Sequence, residues 1–288
     1  MINQRTNPIT RQVSFALLAL VAFASSIAEA YIPHSHTIVG RLVRNNGKGT
    51  YVIEQEVQFR TAGDPLTLRE RWVVENGETM RLLVSSPSKA GGEPVYFEAS
   101  YSGGRKSAPD AFTLQPAKSA TLSPEFAEGL FHARSTSGFL TALHRARIVP
   151  PGSLRDRPRF SKIEQVKYNP EPNVRLGRTS GVVTWIFGEA TPVSAGKLSP
   201  AAWVEQDAFL LRRIRFPSEA EVTADRFASY ANNLKLPRER TITWGNNSAL
   251  IRVLSVRQTS QPPAREPGTK TTHLPDIAQV REFYSRFR

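Results

Sequence analysis

The side chains with the most chemical potential are few, and their spacing does not assemble a catalyst. His34-Ser35-His36 offers two imidazoles, but no acidic or thiolate ligand lies near them in sequence. His132 and His144 fall in a helical stretch and read as exposed or helix-terminal histidines; no His-Glu-x-x-His occurs. Ser86-Pro-Ser-Lys89 has the S-x-x-K spacing but sits in a turn-like loop without its companion motifs, and G-x-S-x-G is absent. Ser102-Gly103-Gly104-Arg105 lacks the strand-to-helix context that lets glycines cradle phosphate. Glu54 and Glu56 share one face of an alternating strand, as carboxylates on a solvated outer face do. With no cysteine in the chain, disulfides, thiolate metal sites and cysteine nucleophiles are excluded. The expectation is a binding protein without catalytic residues, metal or cofactor.

The basic residues say more about surroundings than about chemistry. Lys and Arg number 38 against 25 Asp and Glu, a formal net charge of +13. Arg212, Arg213 and Arg215 beside Phe216 fit two readings: a groove combining phosphate contacts with base stacking, or a positive rim facing acidic headgroups. The N-terminus favours the second. Arg5 and Arg11 precede an apolar run from Val13 to Ile27 that ends in Ala28-Glu29-Ala30, the pattern of a secretory signal over residues 1–30 with the mature chain beginning at Tyr31. That run falls short of the roughly 20 residues a spanning helix needs. The alternative is an uncleaved N-terminal anchor. A lipoprotein is excluded because no acceptor cysteine follows the run. An exported chain without disulfides points to a bacterial periplasm-like compartment. There an anionic membrane surface or an envelope protein is the expected partner, and nucleic acid is not.

The elements that must position any site are mostly strands. From Thr50 to Arg60 the chain alternates, with Tyr51, Ile53, Val57 and Phe59 on one face and Glu54, Glu56, Gln58 and Arg60 on the other. At about 3.3 Å per residue this strand spans roughly 35 Å, long enough to imply a strongly coiled sheet or partial barrel. Leu66, Leu68, Trp72 and Val74 repeat the pattern before an Asn76-Gly77 turn, followed by strands carrying Met80, Leu82 and Val84, then Val95, Phe97, Ala99 and Tyr101. Ser123-Pro124-Glu125 reads as a helix start with Phe126, Leu130 and Phe131 inward, and a second helix is expected from Thr136 to Arg147. Strands resume near Arg159 and continue as Gly181–Phe187, Ala201–Glu205, Ala208–Phe216, Glu221–Tyr230, Arg238–Trp244 and Ala249–Val256, spaced too closely for crossover helices. A leading helix spans Pro33 to Arg44. A linker covers 258–273, and a last helix from Pro275 to about Arg286 is poised to dock on the sheet or on a partner.

Gly181-Val-Val-Thr-Trp185-Ile-Phe-Gly188, then Pro200-Ala-Ala-Trp203-Val-Glu-Gln-Asp207-Ala-Phe209 and the Arg-rich strand after it, resemble the periplasmic lipoprotein-carrier superfamily, the LolA/LolB-like outer-membrane lipoprotein-sorting proteins. Tyr230, Leu236-Pro237-Arg238 and Thr243-Trp244-Gly245 look like the strand and turn pattern of its divergent members, so the resemblance runs from about Ile32 to Val256. It implies a curled antiparallel sheet, here of about ten or eleven strands, forming an unclosed barrel whose concave side is covered by a helical lid. The helical insertion near 102–158 and the helix in 274–288 set this chain apart from the best-known carriers. Members shield acyl chains between lid and sheet. On that model Phe59, Trp72, Val74, Leu82, Phe97, Trp185 and Phe209 are the expected lining of an apolar cavity over 31–257, and Arg60, Arg69 and Arg71 compete as the arginine that gates the lid. The function this implies is a periplasmic carrier or chaperone for a lipid or lipoprotein acyl chain, acting in outer-membrane lipoprotein sorting or envelope biogenesis. The alternative is a non-enzymatic envelope interaction module whose C-terminal helix recruits a partner.

Overall fold

Period-two burial organises the structure, a computed structural model that describes residues 32–60, 64–87, 95–109, 112, 116–154, 171–263 and 273–288. Strands β1 (Thr50–Phe59), β2 (Leu66–Asn76), β3 (Thr79–Ser85), β4 (Val95–Ser102), β5 (Arg105–Ala108) and β6 (Lys118–Thr121) follow one another as an antiparallel meander to one edge of a single sheet. After a helical segment the chain re-enters at the opposite edge with β7 (Val174–Thr179). It then meanders back through β8 (Val182–Phe187), β9 (Ala201–Glu205), β10 (Leu211–Arg215), β11 (Glu221–Ser229), β12 (Lys235–Trp244) and β13 (Asn247–Thr259), and β13 closes the two halves by pairing with β1. The sheet is open, with β6 and β7 as its edges.

Among the described residues thirteen strands stand where ten or eleven are expected from the sequence. Arg105–Ala108 and Lys118–Thr121 are polar and show no alternation, so nothing in them signals a strand; the β4 ladder recruits them. Val174–Thr179 is held by pairing with β8. The strand expected near Arg159 lies outside the described residues. β13 continues to Thr259, past the expected start of the linker.

Among the described residues four α-helices accompany the sheet: α1 (Ser35–Arg44), α2 (Glu128–Phe131), α3 (Thr136–Arg145) and α4 (Ala278–Arg286). α3 starts where Ser135 Oγ accepts from Gly138 N and ends two residues before the expected Arg147. Arg147 takes φ +53°, and the Arg147 and Ile148 amides donate back to the His144 and Leu143 carbonyls, a Schellman stop. α2 is a single turn beginning at Glu128, because Ser123–Ala127 forms a turn whose side chains have tertiary work: Glu125 accepts from Arg286 and Phe126 stacks on Tyr101. Gly77 serves close approach more than turn handedness, since a Cβ there would stand 2.5 Å from the His132 carbonyl oxygen.

Cross-strand partners share a face, so the register defines the inward side continuously from Met80 and Leu82 through Trp72, Ile53 and Val57 to Ile251, Ile242, Val222, Ile214, Ala202 and Phe187. On the outer face Glu54 meets Arg71 at 3.6 Å and Glu56 meets Arg69 at 3.7 Å. Half-exposed pairs of this kind add little stability.

Candidate functional site: the concave face and its occupant

The inward face is filled by the chain itself. α4 lies in it and buries Val280, Phe283, Tyr284 and, just beyond its end, Phe287 and Arg288. Phe283 meets Phe59 edge-on at 5.1 Å and Trp244 at 5.9 Å, Tyr284 meets Phe97 edge-on at 5.4 Å, and Phe287 meets Trp244 at 5.3 Å. The spacing 280, 283, 284, 287 is one helical stripe, so an amphipathic helix and a period-two sheet face meet as complementary surfaces. Of the two docking modes open to this helix from sequence, the structure has the one on the sheet.

The seven sequence-derived lining residues separate accordingly. Phe59, Trp72, Val74, Leu82 and Phe97 come together on β1–β4, all at 2% exposure or less; Phe59 and Phe97 touch α4 directly and Trp72 lies under the Arg288 guanidinium. Trp185 is on the same inward face but near the other edge, on β8 opposite Leu176 and Val204. Phe209 is elsewhere: it occupies the β9–β10 turn with φ +53°, half buried, under the Arg41 guanidinium at 5.1 Å. Of the three gating candidates, Arg69 and Arg71 point to the outer face and Arg60 is exposed.

A buried charge cluster lies beneath α4. Glu70 accepts from Gln55 Nε2 at 2.6 Å, Trp72 Nε1 at 3.1 Å and Arg288 Nε at 3.0 Å. Glu128 accepts two bonds from Arg240 Nη1, at 2.7 and 2.8 Å, and lies 3.2 Å from both Arg288 Nη1 and His132 Nε2. Arg240 Nη2 also donates to Gln55 Oε1 at 2.9 Å. Burial opposes the Glu128 charge, yet the Arg240 and Arg288 guanidiniums and the His132 hydrogen bond hold its carboxyl well below the usual range. Burial pushes the His132 imidazole down against the pull of Glu128. Lys106 donates to the Tyr284 and Arg288 main-chain oxygens at 3.0 and 2.7 Å, and burial, with Arg288, pushes its ammonium down to about 8. Sequence reasoning missed this cluster, although its trace is there: Gln55 and Glu70 interrupt the apolar alternation on the inward sides of β1 and β2.

Beside the helix-filled interior a cleft of about 430 Å³ remains between the Gly77-Glu78 and Gly103-Gly104 turns and the α2–α3 pair, floored by Met80, Tyr101, Leu122 and Phe126. The arginines of β10 are held by carboxylates and rings. Arg213 and Arg215 both bond Glu221, Arg212 bonds Glu205, and all three guanidiniums lie over aromatic rings, Trp203 or Phe227. Among the described residues no cluster of His, Cys, Asp and Glu could hold a metal ion, and no helix is long and apolar enough to cross a membrane.

No protein-family model matches the chain, and no curated protein matches it in sequence. Among solved structures it is similar to a LolA superfamily protein of Nitrosomonas europaea, at 10% identity and TM-score 0.49 over 80% of this chain and 96% of that one. It is likewise similar to a protein domain of Vibrio parahaemolyticus described as outer membrane lipoprotein-sorting, at 12% identity and TM-score 0.47 over 78% and 92%. A DUF1329 family protein of Desulfovibrio piger is similar at 10% identity and TM-score 0.45 over 77% and 91%. The sheet itself is open and antiparallel, with α4 seated against its inner face.

Proposed function

We propose that this protein is an exported, periplasmic carrier or chaperone that holds a lipid or lipoprotein acyl chain on the concave face of its sheet, and that the conformation described here is the unloaded one, with α4 seated where cargo goes. In this reading residues 1–30 are the export signal, 260–273 connect β13 to the helix, and the net positive charge draws the protein to anionic membrane surfaces. The observation that carries it is the nature of the contact: α4 meets the sheet chiefly through a stripe of Val280, Phe283, Tyr284 and Phe287, an apolar surface that an acyl chain can replace. Each methylene taken out of water contributes about 0.8 kcal/mol, so a chain of about a dozen carbons competes with a short helix. The buried stripe also weighs against the interaction-module reading, in which α4 offers its apolar residues to a partner.

An occluded site has an apparent affinity reduced by the fraction of molecules in which it is open. Phe283→Ala/Phe287→Ala in the full chain weakens helix docking by several kcal/mol and is expected to tighten binding of a fluorescent fatty-acid analogue at least tenfold, with the far-UV circular dichroism of the sheet unchanged. If neither the intact chain nor the variant binds the analogue, the carrier reading is wrong.

A further inference from the structure

The cleft between the Gly77-Glu78 and Gly103-Gly104 turns and the α2–α3 pair carries charges that the acyl-binding reading leaves unused. Its charged lining residues are Arg134, Arg145 and Glu78. Arg134 is committed to the fold, since its Nη1 donates to the Gly49 oxygen at 2.6 Å and the Glu75 oxygen at 3.1 Å while its guanidinium lies over the Tyr51 ring. Arg145 is not so committed. It is the last residue of α3, is half buried, and its side chain makes no hydrogen bond or ion pair among the described residues. Its guanidinium ends between two glycines: a Cβ at Gly104 would stand 3.6 Å from Nη2, and one at Gly129 would stand 3.8 Å from Nη1. Burial lowers its pKa from the ordinary arginine value and Glu78 opposes that, without an ion pair between the two.

A guanidinium half removed from water, with five donors and no acceptor, gains most from an oxyanion, which it can bind in bidentate fashion. Glu78 is exposed at the rim by the N-terminal turn of α3, where a Cβ on Gly138 would stand 3.5 Å from Glu78 Oε1. It disfavours a second anion and favours a cationic donor next to the first. The floor is apolar: Met80, Leu122 and Phe126 are buried, and Phe126 stacks on Tyr101 at 4.8 Å. At about 430 Å³ the cleft is in the usual size range of small-molecule sites.

We propose that this cleft binds the head of a zwitterionic amphiphile, with Arg145 holding a phosphate-type oxyanion, Glu78 facing the neighbouring ammonium, and the floor of Met80, Leu122 and Phe126 taking the first carbons of the tail. The tail's path rests on the carrier reading; the head site stands on the cleft alone.

The test titrates phosphoethanolamine and inorganic phosphate into the intact full-length protein by calorimetry and follows the backbone amides of Gly103, Gly104 and Gly129 by NMR. Phosphoethanolamine is expected to bind and to shift those amides. Arg145→Gln breaks no protein contact and should weaken it by about tenfold or more, as loss of a hydrogen bond to a charged group does. Glu78→Gln should erase the preference for phosphoethanolamine over phosphate while leaving phosphate binding intact. The head site is overturned if phosphoethanolamine does not bind, or binds Arg145→Gln equally. The role of Glu78 is overturned if intact protein takes inorganic phosphate equally well. A short-chain phosphatidylethanolamine below its micelle concentration separates the two readings: if it binds no better than the free head, the continuation into the tail site fails while the head site stands.

Discussion

Replacing Arg288 with Met removes one of the two guanidiniums from the cluster under α4 and leaves its carboxylates in place. Glu70 is fully buried and keeps two neutral donors, Gln55 Nε2 at 2.6 Å and Trp72 Nε1 at 3.1 Å, but loses the guanidinium at 3.0 Å. Glu128 is less exposed to the loss, because Arg240 bonds it twice and His132 stands 3.2 Å away. The uncompensated charge therefore falls mainly on Glu70, and breaking a buried pair from one side costs about 3–5 kcal/mol. Urea unfolding followed by tryptophan fluorescence should show this as a midpoint lowered by roughly 1–2 M at a slope of about 3 kcal/mol/M. Adding Glu70→Gln removes the orphaned charge, so the double variant should be more stable than Arg288→Met alone, with a coupling energy of about 1–3 kcal/mol. A coupling below about 0.5 kcal/mol, the noise of additive sites, would refute Arg288 as the counterion of Glu70.

Acidification gives a second check. His132 and Glu128 both have folded pKa values below their unfolded ones, so in each case the unfolded chain binds the extra proton. The contribution of these two groups should be complete above about pH 6.5, decline as pH falls through the histidine range, and decline again below about 4.5, measured as thermal midpoint against pH; His132→Gln should remove the first decline only, and the lowered Lys106 adds a separate rise in stability above about pH 8. Gly77→Ala forces a Cβ to within 2.5 Å of the His132 oxygen and 2.8 Å of the Arg134 nitrogen, and should cost roughly 1–3 kcal/mol in chemical denaturation despite its place in a surface turn. Native-state hydrogen exchange should find the α4 amides opening at lower free energy than β1, because undocking one helix leaves the strand ladders intact; equal protection in both would mean that α4 leaves only on global unfolding.

Much of the sheet was legible because its inner residues alternate with charged ones: Tyr51 to Phe59, Leu68 to Val74 and Val95 to Tyr101 each name their inward side without ambiguity. β5 and β6 were not, since lysine, serine and alanine carry no facial signal and only the neighbouring ladder makes them strands. Alternation also says which face is inward and nothing about what fills it. The partners of Phe59 and Phe97 lie far along the chain at Phe283 and Tyr284, and no local pattern reports a contact of that separation. The charge cluster is an intermediate case. Gln55 and Glu70 stand out as polar residues at inward positions, but their partners Arg240 and Arg288 look like any other arginine in a chain this basic. Phe209 differs for another reason: an aromatic beside a strand end reads as lining, whereas it sits at positive φ in the β9–β10 turn, under the Arg41 guanidinium.

The competition between helix and cargo is most directly measured by displacement. A fluorescent fatty-acid analogue bound to the full-length Phe283→Ala/Phe287→Ala variant is titrated with a peptide of residues 274–288 carrying the native sequence. Mutually exclusive occupation predicts that the peptide expels the analogue completely and with one-to-one stoichiometry. Peptide and analogue bound together, or an analogue indifferent to saturating peptide, would place the acyl chain somewhere other than the face that α4 covers.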